Sequence, residues 1–339
     1  MIPIMYDKND PNVQSSLIEY DAFILDFKRN LDNSINRGYI GKRKMDYGVD
    51  LTKYLSPQEI DVLKWISAHI KFIANLDARH MKPFIHYMET RWQVSKGTNI
   101  HSYIHHLFVN NGYDGGKFPK DALVKAVNID TCPYCNSEYV GVVDLHKIEN
   151  GIPVIKTVKG QLDHFYNKEF YPYLAISRNN LVPSCHTCNE HPNKYTEDAV
   201  ATGLVNPYEE TNPNSLLFRL NVPLSFFGSK IESNQATISF DTTANSNYNR
   251  NIYTFGLEDL YNQRNIIEAV RVYNTYIYTQ SQVYQMSINS MTSSLQTTNA
   301  TTYQQFKESC GVVSDESEYK KVTLSKMKTD IWNQLEQGL

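Results

Sequence analysis

The chain has 339 residues, 41% of them hydrophobic and 20% charged, with a net charge of −3. That composition excludes a disordered chain, the length points to two or three modules, and no apolar run approaches the ~18 residues of a membrane helix. Lys and Arg outnumber Asp and Glu by 2 in residues 1–130, and fall short by 2 in 131–205 and by 3 in 206–339. No segment is basic enough to hold a polyanion unaided, so any such ligand needs cations gathered by folding, or a partner. The N-terminal Met1 to Lys8 lacks the basic-then-apolar order of a secretory signal, and a soluble, cytoplasmic protein is expected.

Leu17, Ile18, Phe23, Ile24, Phe27 and Leu31 recur at helical spacing and predict a first helix over 15–35. It is followed by Arg37-Gly-Tyr-Ile-Gly-Lys42-Arg43-Lys44, the densest basic patch, read as a solvated loop. Ser56-Pro57-Gln58-Glu59 then combines a cap, a proline at the first helical position and a glutamate three after the cap. Ile60, Leu63, Ile66, Ile70 and Ile73 continue that helix, and Pro83 should end or kink whatever follows. Residues 84–108 supply one or two more helices before Asn110-Asn111-Gly112 and Gly115-Gly116 break the chain. His101, His105 and His106 cluster there without the pattern of a metal site.

Between 131 and 205 the periodic stretches vanish and Cys, His, Asn and Pro become dense, the texture of a small metal-stapled module. Ala236, Ile238 and Phe240 alternate with Thr237 and Ser239, so residues 214–240 read as strands. Helix returns near Leu257, with one stripe through Leu260, Ile266, Ile267, Val270, Tyr273, Ile277 and Tyr278. A second runs through Leu324, Met327, Ile331 and Leu335, and the polar stretch Thr292 to Thr302 between them reads as a loop. The tyrosines 261, 273, 276 and 278 fall at packing positions. The expected division is a helical region 1–130, a metal-stapled module 131–205, a β-containing connector 206–256 and a helical region 257–339.

Four of the five cysteines form two pairs, Cys132-Pro-Tyr-Cys135 and Cys185-His-Thr-Cys188. Each such turn places two sulfurs on one side of a tetrahedron, so a structural zinc held by Cys132, Cys135, Cys185 and Cys188 is expected, with His186 not replacing a thiol. Cys310 is left over as a small residue without chemistry. Asp163-His164 lies between the pairs, Asn180 stands five residues before Cys185, and Asn189 follows Cys188.

The run Leu162-Asp163-His164-Phe-Tyr, Tyr171-Pro172, Asn180-Leu-Val-Pro-Ser-Cys185 and Cys188-Asn189 resembles the HNH endonuclease family over about 60 residues. Its flanks look more loosely like the HNH partners of ATPases in bacterial anti-phage systems of the Septu type, including retron-associated ones. The resemblance implies an α+β protein, mostly helical, with a central ββα-metal HNH module stapled by a four-cysteine zinc and a short β segment after it. It also implies a DNA-cutting effector of a defence complex with an ATPase partner. The chain itself carries no Gly-rich phosphate loop ending in Lys-Ser/Thr.

The residue chemistry fits that expectation. His164 can take a proton from water near neutral pH. Asp163, on the opposite face of the same strand, can ligate Mg²⁺ or Mn²⁺, with Asn189 as second ligand and open positions for phosphate and water. Asn180 either bonds a backbone group across the loop or holds His164 in orientation. The family often has a lysine three residues after the last asparagine. Here Pro192 stands there and Lys194 comes two later, so no phosphate contact is expected from Lys194. His191 could compete with Asn189 for the metal, and His146 reads as a solvated residue. A non-catalytic zinc module that binds nucleic acid or protein, and an RNA-cutting toxin, are the alternatives.

Overall fold

The computed structural model describes residues 1–41, 49–149, 152–190, 192–195, 197–242, 248–281 and 299–338. They form two compact units, one of Pro3–Ile129 with Val140–Thr211, the other of Met1–Ile2, Asp130–Tyr139 and Asn212–Leu339. The chain is a mostly helical α+β protein, as expected, with its strands in three two-stranded sheets among the described residues. Among those residues no helix is long and apolar enough to cross a membrane.

The first unit opens with α1 (Pro11–Arg37). Asp10 accepts from the Asn12 N–H at its start, and Gly38, at φ 73°, closes its end on the carbonyls of Ser34 and Ile35. Val13, Tyr20, Ile24, Phe27 and Leu31 form its buried seam, whereas Ile18 is exposed. α2 (Pro57–Ala68) has the expected reciprocal Ser56–Glu59 box. His69 interrupts the long helix read from the isoleucines, and α3 (Ile70–Ala74) resumes it.

Pro83 neither ends nor kinks its helix. It lies in the first turn of α4 (Met81–Arg91), where the missing N–H would have had no intrahelical partner. α5 (Asn99–His105) continues directly into a π-helical segment, His106–Tyr113, closed by the Asp114 N–H on the Val109 carbonyl at 2.8 Å. Asn110-Asn111-Gly112 is therefore inside a helix, and the break comes at Asp114 to Gly116. A Cβ on Gly115 would stand 2.1 Å from the Asn111 carbonyl oxygen, so this tight exit requires glycine. α6 (Lys120–Val127) lies against α1.

β1 (Val143–Glu149) and β2 (Ile152–Val158) pair as an antiparallel ribbon, and every residue of β1, His146 included, is exposed. β3 (Gln161–His164) pairs antiparallel with β4 (Leu181–Ser184), placing Asp163 opposite Val182 and His164 opposite Leu181. The loop between them contributes Phe165, Tyr166, Tyr173, Leu174, Ala175 and Ile176 to the core. β4 runs straight into the one-turn helix α7 (His186–Asn189), and α8 (Ala199–Thr202) follows.

The second unit is built on β5 (Leu216–Asn221) and β6 (Thr237–Thr242), in which Phe218 faces Phe240 and Leu220 faces Ile238. Around them stand α9 (Tyr248–Thr254), α10 (Leu257–Leu260), α11 (Ile266–Gln280), α12 (Asn299–Ser309) and α13 (Ser325–Glu336). The stretch read as a loop is helical from Asn299 onward, while 292–298 lie outside the described residues. Tyr261 and Tyr273 are buried, but Tyr278 is 49% exposed. α13 is tied to β5 by Asp330, whose carboxylate accepts from the Phe218 N–H at 3.0 Å and from Lys326 Nζ at 2.9 Å.

Candidate functional site

The sulfurs of Cys132, Cys135, Cys185 and Cys188 all lie within 4.8 Å of one another, and all four residues are buried. Thiolates at ~2.3 Å from a tetrahedral zinc stand about 3.8 Å apart, so the cluster can hold a metal ion such as zinc. Each pair sits on a local scaffold. The Cys132 N–H bonds the Glu138 carbonyl at 2.9 Å, the Asn136 N–H bonds the Cys132 carbonyl at 2.7 Å, and the Ser137 N–H points at Cys135 Sγ at 3.4 Å.

Asn136, at φ 55°, fastens the first turn to its unit. Its amide donates to Thr131 Oγ1 at 3.1 Å and the Tyr319 carbonyl at 2.8 Å, and its oxygen accepts from the Lys326 N–H at 3.1 Å. The second turn is closed by the Asn189 N–H on the Cys185 carbonyl at 3.1 Å. His186 is exposed and, like Cys310, stands outside the group.

β3 delivers Asp163 and His164 as neighbours on opposite faces of one strand. His164 is 9% exposed, and its Nε2 lies 3.0 Å from the Ala175 carbonyl. A carbonyl can only accept, so Nε2 carries the proton and Nδ1 the lone pair. Burial pushes the imidazole pKa down to about 3, with the Lys168, Lys194 and Lys120 ammoniums adding to the fall and the Ala175 carbonyl opposing it. The ring is neutral at physiological pH. The Tyr113 ring, brought round by the π-helical segment, meets it edge-on at 4.4 Å between centroids.

On the other face, Asp163 is 4% exposed and Oδ1 accepts from Lys194 Nζ at 2.8 Å. The same ammonium donates to the His164 carbonyl at 2.8 Å and is itself 1% exposed. Sequence reasoning gave Lys194 no part in the site. Its place five residues after Asn189 departs from the motif spacing, and the turn that returns it to β3 leaves no periodic signal.

Asn180 is fully buried and acts on the backbone. Its amide donates to the carbonyls of Tyr166 at 3.0 Å and Leu174 at 3.1 Å, while Oδ1 accepts from the Tyr166 N–H at 2.7 Å. It thereby fixes both ends of the loop whose Ala175 carbonyl orients His164. Replacing Asn180 by alanine strands three buried backbone groups, and a loss of about 2–4 kcal/mol is expected in urea unfolding. A change below ~1 kcal/mol would show that the loop holds itself.

Asn189 donates to Gln161 Oε1 at 2.7 Å, and Gln161 Nε2 in turn donates to Glu190 Oε1 at 3.0 Å. Gln161 shares a strand face with Asp163, two residues on, so the period-2 rule could have drawn it into the candidate set. His191 lies outside the described residues. His101 and His105 instead face the loop after β3, on the Phe170 carbonyl at 3.2 Å and the Glu169 carboxylate at 3.3 Å. Lys42, Arg43 and Lys44 of the basic patch also lie outside the described residues.

The oxygen donors of Asp163 and Asn189 fit a hard divalent cation in chemical type. In this structure the Lys194 ammonium supplies the positive charge beside Asp163 Oδ1, and a metal on that oxygen would have to displace it. No family model, curated protein or solved structure matches this chain.

Proposed function

We propose that this protein is a metal-dependent endonuclease of the HNH type that hydrolyses phosphodiester bonds in DNA, as the cutting component of a bacterial anti-phage complex with an ATPase partner. The observation that carries the catalytic reading is the pairing of β3 with β4. It sets Asp163 and a tautomerically fixed His164 at the end of a hairpin that leads directly into the second cysteine turn and α7. The defence setting and the ATPase rest on the motif resemblance alone.

In this reading the four thiols hold a zinc whose work is structural. Asp163 and Asn189 would hold Mg²⁺ or Mn²⁺, which supplies Lewis acidity and steadies the departing oxygen. His164 Nδ1 takes the proton of the attacking water. The dry pocket that lowers its proton affinity also keeps it unprotonated, and a phosphodiester anion placed beside the ring raises that affinity through the same Coulomb effect with opposite sign. Asn180 holds the loop, and Ala175 holds the tautomer.

The test is nicking of supercoiled plasmid and of total RNA with added Mg²⁺ or Mn²⁺. His164→Ala is expected to cut at least ~10²-fold more slowly than the parent while keeping its zinc and a cooperative unfolding transition. Undiminished cutting by the variant would sink the mechanism. Cutting of RNA alone would move the substrate class. The closed Asp163–Lys194 pair is the observation a non-catalytic zinc module would rest on, and a parent that never nicks with either metal, even beside its partner, would favour it.

A further inference from the structure

We infer that Lys120 and Lys168, gathered over the Tyr113 ring, with Lys159 held at the start of α6 by Asp121, form a seat for the backbone phosphates of the DNA strand whose scissile bond reaches His164. The inference rests on the nuclease reading and names the part of the chain that would hold its substrate.

The three lysines come from separate segments, the start of α6, the loop after β3 and the turn between β2 and β3. Lys120 Nζ stands 4.0 Å and Lys168 Nζ 5.2 Å from the centroid of the Tyr113 ring. That same ring lies 4.4 Å from His164. Tyr113 is fixed beneath them by its hydroxyl on the Leu162 carbonyl at 3.4 Å and by Phe118, 5.1 Å between centroids. A cation over an aromatic face is held in place without losing its charge.

The local charges do not balance. Asp114 is shared by Lys168 at 2.9 Å and Lys120 at 3.8 Å, while Asp121 pairs with Lys159. Glu169 also acts on Lys168 but is shared with Lys96, and Asp163 is taken by Lys194, so five ammoniums meet four carboxylates, beside an imidazole that stays neutral. The ammoniums also feel one another. Burial and then Lys168 lower the Lys120 pKa against the pull of Asp114, and burial with Lys120 lowers that of Lys159. Each lysine side chain is still partly exposed. A surplus positive charge on reachable, positioned ammoniums is suited to a phosphodiester, which carries one negative charge and no requirement for base identity. The weak overall charge thus conceals a local concentration at the one place where a strand must be held.

The experiment is fluorescence anisotropy of the whole protein with a labelled duplex of about 20 base pairs, without added divalent cation, over a range of salt. The Lys120→Gln/Lys168→Gln double variant is expected to bind at least about tenfold more weakly at ~0.1 M salt, with a slope of log K on log salt shallower by about 1.8. Lys120→Arg/Lys168→Arg should restore both, which separates lost charge from lost fold. An unchanged affinity and slope in the folded glutamine variant would overturn the inference. So would an equal loss from Lys53→Gln/Lys64→Gln, exposed lysines elsewhere on the same unit, or a parent that binds no DNA. Salt-dependent binding through Lys120 and Lys168 in a protein that never cuts would uphold the seat and defeat the nuclease reading alone.

Discussion

Replacing Lys194 by methionine is expected to lower the unfolding free energy by about 3–5 kcal/mol, the cost of leaving a buried carboxylate without its cation. Methionine keeps most of the stem and removes only the charged head. The head is 1% exposed and makes two bonds of 2.8 Å, to Asp163 Oδ1 and to the His164 carbonyl. Water cannot replace it cheaply there. Adding Asp163→Asn to the variant should recover a large part of the loss, because the uncompensated charge is then gone. Urea titration of the two single variants and the double gives the coupling directly.

The same variant tests whether Asp163 holds a divalent cation. With the ammonium absent, millimolar Mn²⁺ should raise the melting temperature of Lys194→Met by more than it raises that of the parent, since ligand binding stabilises only the folded state. Equal shifts in both proteins, or none in either, would speak against a cation on Asp163.

Cys185→Ser is expected to be the most damaging single exchange. One buried metal-binding group is found among the described residues, and a filled four-thiolate zinc site contributes on the order of 10 kcal/mol, comparable with the whole stability of an average domain. Elemental analysis should fall from one zinc per chain to none, and the cooperative melt should disappear. Cys310→Ser removes a buried thiol that lies outside the group, and it should keep both metal and melt. A Cys185→Ser protein that stays folded without metal would show that packing alone assembles the cluster.

Features legible in the sequence were those written in local spacing. Two x2-spaced cysteine pairs, the Asp-His dipeptide and the Ser56–Glu59 box each declare themselves within a few residues, and the structure gathers the thiols and closes the box. The Asn180 side chain took the first of its two expected roles, bonding backbone across the loop. What stayed hidden depends on chain return. Lys194 reaches β3 by a turn with no periodic signature, and Asn136 finds its partners in Tyr319 and Lys326, 183 and 190 residues away in sequence. Pro83 misled because a proline's effect depends on its position in the helix, which a helix start without a strong cap does not reveal. Net charge misled in a similar way, as an average over segments that folding does not respect.

The π-helical segment His106–Tyr113 carries a consequence for how this site tolerates change in length. Its i→i−5 bonding holds more residues per turn than the α-helix it continues. It already holds a surplus residue, so inserting one more into α5 would not be absorbed there and would turn the residues that follow by about 100°. Tyr113 would leave the edge of the His164 ring, and Lys120 would lose the aromatic face beneath it. A one-codon gain in α5, far in sequence from Asp163, would therefore disable the site as thoroughly as a substitution within it, whereas the exposed β1–β2 ribbon could gain or lose a residue pair without the site registering it.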